Sequence, residues 1–178
     1  MLFRSINTFF RRQGKVCVDA VVSLTGFSLV GGPAYNDSQA AEAMLTDLDV
    51  PYVAAHPVEF QTLSEWAGSD RGLMPVESTI MVAIPELDGA TSPIVFGGRP
   101  GAPGAVCTGC DRACRFDAVL SSQDMVSCPE RAEMLAARVD RLVSLRRKRT
   151  AERRVAMVLF NFPPNGGAIG TAAHLSVF

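Results

Sequence analysis

A β-branched apolar run, a turn of small residues, a capped helix and a second apolar run follow one another between Val16 and Ala55. This order restricts the fold more than any other feature of the chain. Val16–Leu24 predicts a buried strand. Thr25–Pro33, with Gly26, Gly31 and Gly32, predicts a turn. Asn36 or Asp37 offers a side-chain oxygen to cap a helix reaching Leu48, with Ala40, Ala43, Met44 and Leu48 as its apolar stripe. Val50–Ala55 predicts the second strand. Two strands joined through a helix run parallel, because a parallel pair needs a long crossover.

The rest of the chain extends the pattern. Gln61–Trp66 predicts one or two helical turns. Thr79–Ile84 is nearly all apolar and predicts a third strand covered on both faces, ended by Pro85–Gly89. Ile94–Phe96 predicts a short fourth strand and Val155–Phe160 a fifth. Pro129 suits a first helical position, and Leu135, Val139, Leu142 and Val143 give the stripe of a helix reaching Arg149. The basic run Arg146–Arg149 is then a solvated helix end, where cations meet the negative end of the dipole. Asn161–Thr171 predicts a glycine-rich turn into a last helix. The expected class is α/β: a Rossmann-like or flavodoxin-like, mostly parallel sheet with helices on both faces. Residues 6–178 form its core, with 97–128 a Cys-rich loop insertion. Residues 1–5 are expected to be non-native, and the chain to be an internal fragment, truncated at both ends.

Composition narrows the function classes. The chain has 178 residues, 48% of them hydrophobic and 20% charged, which excludes a disordered chain. Lys+Arg is 17 against Asp+Glu 18, so no nucleic-acid footprint is expected. No apolar run approaches the length of about 20 residues that spans a membrane. Four of the five cysteines fall in one segment as C-x2-C-x3-C-x13-C: Cys107, Cys110, Cys114 and Cys128. Thiolates at such spacing suit zinc or an iron–sulfur cluster. Cys128 precedes Pro129 at a helix start, where the dipole favours a thiolate.

Three segments are expected at the carboxyl edge of the sheet, where open α/β sheets bind ligands. The turns at Gly31-Gly32 and at Gly166, Gly167, Gly170 and Thr171 present backbone N–H groups to an anion. Neither matches a phosphate loop or a dinucleotide fingerprint. Glu86 and Asp88 follow the third strand and could act as bases or as ligands to a hard cation. His56 is a proton acceptor of suitable range.

Several blocks resemble the family of large porphyrin-binding chelatase subunits: magnesium chelatase, and more loosely cobaltochelatase. They are Thr25-Gly-Phe-Ser-Leu-Val-Gly-Gly-Pro-Ala-Tyr-Asn-Asp37, His56-Pro-Val-Glu-Phe-Gln-Thr62, Val82-Ala-Ile-Pro-Glu-Leu-Asp-Gly-Ala90, Phe96-Gly-Gly-Arg99 and Val158-Leu-Phe-Asn-Phe-Pro-Pro164 with Gly170-Thr-Ala-Ala173. The resemblance implies a ligase forming nitrogen–metal bonds. It inserts Mg²⁺ into protoporphyrin IX for bacteriochlorophyll or chlorophyll synthesis. ATP is hydrolysed by motor subunits, the I and D subunits, and this segment is not expected to act alone. The cysteine set is similar to that of forms from anoxygenic phototrophs and implies an iron–sulfur cluster, of 4Fe-4S type, with zinc as the alternative. A cytoplasmic protein, peripheral to the membrane at most, is implied. Porphyrin propionates would be the anions at the glycine turns. Glu86, Asp88 and His56 are chosen for the two pyrrole protons and the cation, on chemistry and not on family correspondence. Two further readings stand beside this one: a non-catalytic redox or docking module of the same subunit, and a cobaltochelatase relative acting on a corrinoid precursor.

Overall fold

The computed structural model describes residues 2–30, 37–119, 121 and 123–156. It divides into two units, Met1–Arg146 and Arg147–Phe178. The first is a mixed α/β structure. Helix α1 (Leu2–Phe9) leads into a small antiparallel hairpin, β1 (Arg11–Arg12) and β2 (Lys15–Val16). Strands β3 (Val21–Ser23), β4 (Tyr52–Thr62), β5 (Thr91–Arg99) and β6 (Val126–Ser127) then make one sheet in that order. The β3–β4 and β4–β5 pairs are parallel, and β5–β6 is antiparallel.

Helix α2 (Ser38–Leu48) joins β3 to β4. Asp37 caps it by accepting from the Ala40 N–H at 3.0 Å, and Asp49 ends it in the left-handed region at φ 48°. Its buried stripe is Ala41, Met44 and Leu48, spaced i, i+3, i+7, which leaves Ala43 exposed, against expectation. Met44 and Leu48 pack with Ile6 of α1, and Phe10, Val16 and Val21 gather round them.

The second crossover corrects the sequence reading. Thr79–Ile84 is not a strand. After the short α3 (Leu63–Ala67) come α4 (Pro75–Glu77), a π-helical turn (Ser78–Ala83) and α5 (Ile84–Leu87). A short apolar run fits a buried helix as well as a buried strand. The helix-start signals, Pro75 at the first turn and Glu77 beside it, lie just upstream. The first predicted strand also breaks up. Val16 belongs to the hairpin, and only Val21–Ser23 joins the sheet, since Asp19 interrupts the apolar run and Asp is disfavoured in strands. Conversely β4 runs on to Thr62 through Pro57, with register shifts at His56/Pro57 and Val58/Thr62. A missing N–H is tolerated at such irregularities.

The strand order is sequential. A doubly wound sheet reverses its order at a switch point, and no reversal occurs among the described strands. Of the predicted fifth strand, Val155 and Ala156 are described and not extended into a sheet; residues 157–160 lie outside the described residues.

Helix α6 (Pro129–Arg147) follows β6. None of its residues is buried, although Leu135, Val139, Leu142 and Val143 are partly covered. Arginines fasten it. Arg131 Nε donates to the Val95 carbonyl at 3.2 Å, Arg138 to the Ser92 and Pro93 carbonyls at 3.4 Å, and Arg146 to Asp49 at 3.0 Å. Among the described residues no helix is long and apolar enough to cross a membrane. In the second unit the described part, 147–156, holds a 3₁₀ turn (Thr150–Glu152) with Arg149 paired to Glu152.

Candidate functional site

The Cys-rich segment is built into the fold. Its middle is a hairpin. Val106 and Arg115 form an antiparallel bridge, the Cys107 N–H donates to the Cys114 carbonyl at 2.7 Å, and the Phe116 N–H donates to that of Ala105 at 3.0 Å. Phe116 is buried and packs with Val58, Leu63 and Val95. Two glycines allow the close approach. A Cβ on Gly101 would stand 2.3 Å from Ser64 Oγ and 2.6 Å from the Phe116 ring. One on Gly109 would stand 2.8 Å from the Ala67 Cβ. The hairpin therefore rests on α3. That short helix is held by a capping box in which Thr62 Oγ1 accepts from the Glu65 N–H and the Glu65 carboxylate accepts from the Thr62 N–H at 2.7 Å. Cys128 stands just ahead of α6, and its N–H donates to the Phe96 carbonyl of β5 at 2.9 Å.

These parts enclose a cavity of about 380 Å³. Cys107, Cys110, Cys114 and Cys128 all line it, with Leu63 and Trp66 on the α3 side. All four are half-buried free thiols. The Arg131 guanidinium, also in the wall, lies 5.4 Å from the centre of the Trp66 ring, a cation–π arrangement. Arg112, at the turn between Cys110 and Cys114, makes a forked pair with Glu133 of α6 at 2.9 and 2.5 Å. Glu133 holds the Arg112 proton well above its ordinary range, and the same bonds lower the Glu133 carboxyl. Among the described residues, no three His, Cys, Asp or Glu side chains are placed to hold one metal ion. The cysteines ring a space and are not drawn to a point.

The other predicted site residues do not come together. Asp88 is 0% exposed and accepts from Ser28 Oγ and the Leu29 N–H, both at 2.8 Å. It follows α5 and leads into the amino end of β5, so it is not at the carboxyl end of a strand as expected. Glu86 lies on the exposed side of α5. His56 is 2% exposed, and its Nδ1 has no hydrogen-bond partner among the described residues. Burial pushes its proton affinity below the usual imidazole range, while Glu77 pulls the other way. Gly26, at φ 69°, passes over it, and a Cβ there would meet Pro57 at 3.2 Å and His56 at 3.4 Å. Gly31, Gly32, Gly166, Gly167, Gly170 and Thr171 lie outside the described residues.

Sequence reasoning missed Glu77. It is 0% exposed and accepts from the Phe60 N–H at 3.1 Å, Gln61 Nε2 at 2.7 Å and the Met74 N–H at 3.0 Å. Its place three residues after Met74 at a helix start was the available signal. It missed the Arg112–Glu133 clasp as well, since a loop and a helix residue of opposite charge carry no mark of contact.

The family model described as CobN/Magnesium Chelatase matches residues 3–178, and the chain belongs to that family. It is 55% identical over 175 residues to the H subunit of magnesium chelatase from Cereibacter sphaeroides, covering 98% of this chain and 14% of that protein. It is 56% identical over 161 residues to the protein of the same name from Rhodobacter capsulatus, covering 90% and 13%. It is 46% identical over 165 residues to the chloroplastic ChlH subunit of magnesium chelatase from Oryza sativa subsp. indica, covering 93% and 10%. The chain thus spans 14% or less of the length of these relatives. No solved structure matches it.

Proposed function

We propose that the chain is a segment of the porphyrin-binding subunit of a magnesium chelatase. The whole subunit would place Mg²⁺ in protoporphyrin IX on the route to bacteriochlorophyll, with ATP hydrolysed by its partner I and D subunits. The observation that carries this is the identity of 55% running through 98% of the chain. The parallel strands β3, β4 and β5 are consistent with one half of a doubly wound sheet in the longer protein. The sequence holds one tryptophan, Trp66. Titration of the chain with protoporphyrin or deuteroporphyrin should quench its fluorescence in a saturable way. Unchanged emission at saturating porphyrin rules out porphyrin binding by this segment.

Cys107, Cys110, Cys114 and Cys128 are proposed as ligands of an iron–sulfur cluster. A single zinc ion, with Zn–S bonds of about 2.3 Å, needs its four sulfurs close together. A cluster distributes them over several iron atoms. The cysteines ring a cavity of about 380 Å³, and this favours the cluster. Bound there, the cluster would supply one-electron chemistry or structural cross-linking. The chain's own residues supply the rest: α3 and Phe116 give the cavity apolar walls, Arg131 places positive charge in the wall, and the Arg112–Glu133 clasp ties the ligand loop to α6. Anaerobic reconstitution with iron and zinc analysis tests this; a colourless protein holding only zinc sinks the cluster.

A non-catalytic role for this segment has its own support. The two buried carboxylates, Glu77 and Asp88, are bonded to the chain's own groups. Only Glu86 of the proposed acids faces solvent. In the full-length subunit, Glu86→Gln should then leave chelation intact if this segment serves only docking or redox. A fall in kcat at unchanged porphyrin affinity would assign Glu86 to proton removal.

A further inference from the structure

The hairpin that carries Cys107 and Cys114 has a fixed register. The 106↔115 bridge and the two hydrogen bonds beside it set residue 107 directly opposite residue 114. The Cys107 N–H to Cys114 carbonyl bond joins this pair, and directly opposed residues of an antiparallel ladder stand about 4.5–5.5 Å apart at Cα, with side chains on one face. A disulfide needs a Cα separation of about 4.4–6.8 Å. Both side chains are half-buried free thiols on the wall of the same cavity. Cys110 lies in the hairpin's turn and Cys128 ahead of α6, so neither is opposed to another cysteine in the register.

We propose that Cys107 and Cys114 form a modification site: in the metal-free protein an oxidant of the peroxide class joins them as a cross-strand disulfide, which blocks loading of the four-cysteine centre. One thiolate attacks the O–O bond of hydrogen peroxide, forming an S–O bond and releasing hydroxide. The second thiolate attacks that sulfur, forming the S–S bond and releasing a second hydroxide. In sum, two thiols and one peroxide give one disulfide and two waters; sulfur is oxidised and peroxide oxygen reduced. A dithiol reductant reverses the reaction by exchange. Cys110 and Cys128 remain, and two thiolates fall short of the four that either zinc or a cluster takes. The block on loading rests on the metal-centre reading above; the disulfide does not.

The test uses the metal-free 178-residue chain, treated with one equivalent of hydrogen peroxide and mapped by non-reducing peptide mass spectrometry. The expected product is a Cys107–Cys114 cross-link that persists in a C110S/C128S variant. Pairing of Cys107 with Cys110 or Cys128, or full alkylation of both hairpin thiols, overturns the site. Reduced and oxidised samples are then reconstituted anaerobically with ferrous iron and sulfide. The oxidised sample should lose its iron uptake and recover it after dithiothreitol. Equal uptake by both overturns the block. A reduced sample that takes no iron, beside an intact cross-link, removes the metal-centre reading and leaves the disulfide site standing.

Discussion

Three donors converge on the Glu77 carboxylate: two backbone N–H groups and the Gln61 amide. Buried bonds to a charged group are strong, and removing the acceptor leaves each donor unpaired. Glu77→Ala should therefore cost about 1–3 kcal/mol for each donor left unsatisfied, read in urea unfolding, far more than the same change at exposed Glu86. His56 makes a different claim. Burial holds its folded-state proton affinity below the unfolded value of 6.5. Below that pH the unfolded chain takes up a proton that the folded chain resists, so stability is full above it and is lost as pH falls toward the folded value. The urea midpoint should drop as the pH is lowered through 6.5, and His56→Gln should shrink that drop. At this scale the sequence was a partial guide. It offered His56, Glu86 and Asp88 as candidate site residues, but residue type does not say whether a carboxylate faces solvent or a neighbour's backbone. Asp88 is tied to Ser28 and Leu29, 60 and 59 positions away in the chain, which no local pattern announces.

Elements were legible where length and caps agreed. Asp37 and the stripe ending at Leu48 located α2, and Pro129 located α6. The stretch from Ser78 to Ile84 was not, because seven mostly apolar residues serve a buried helix and a buried strand equally. The pairing of β5 with β6 was missed too. The fourth strand was expected to stop at Phe96 and the loop to begin at Gly97, yet Gly97 and Gly98 lie within β5. A Cβ on Gly97 would stand 2.2 Å from the Val126 carbonyl oxygen, and one on Gly98 would stand 2.7 Å from that of Val58. Gly97→Ala should push β6 from β5 and cost roughly 1–3 kcal/mol. Since Cys128 directly follows β6, the same variant should also lower metal uptake; native uptake in Gly97→Ala would separate the strand pairing from the cysteine box. Gly14→Ala, with nothing within 4 Å of its Cβ, is the control for the centre: it strains a left-handed turn at φ 77° and should leave metal uptake alone.

Over the first unit as a whole, cohesion is uneven. Val53, Ala55 and Val58 of β4 are 0% exposed, whereas α6 buries no residue at all. Native-state hydrogen exchange should find β4 amides opening only with global unfolding and α6 amides exchanging through a cheaper, local release. Equal protection of the two would contradict this. The family blocks and the cysteine spacing were visible in the chain, because short motifs survive as residue types in order. The cavity was not: its walls come from α3, the hairpin and the start of α6, and only packing brings these together.

The fastening of α6 has a thermal corollary. Guanidinium-to-carbonyl bonds from Arg131 and Arg138 and a charge pair at Arg146 hold this helix, where apolar burial holds α2. Apolar burial carries the large heat-capacity change and fades on cooling, whereas exposing polar surface changes heat capacity in the opposite direction. Release of α6 should consequently show a shallow calorimetric slope, and near freezing this helix should hold its place while the contacts beneath α2 weaken.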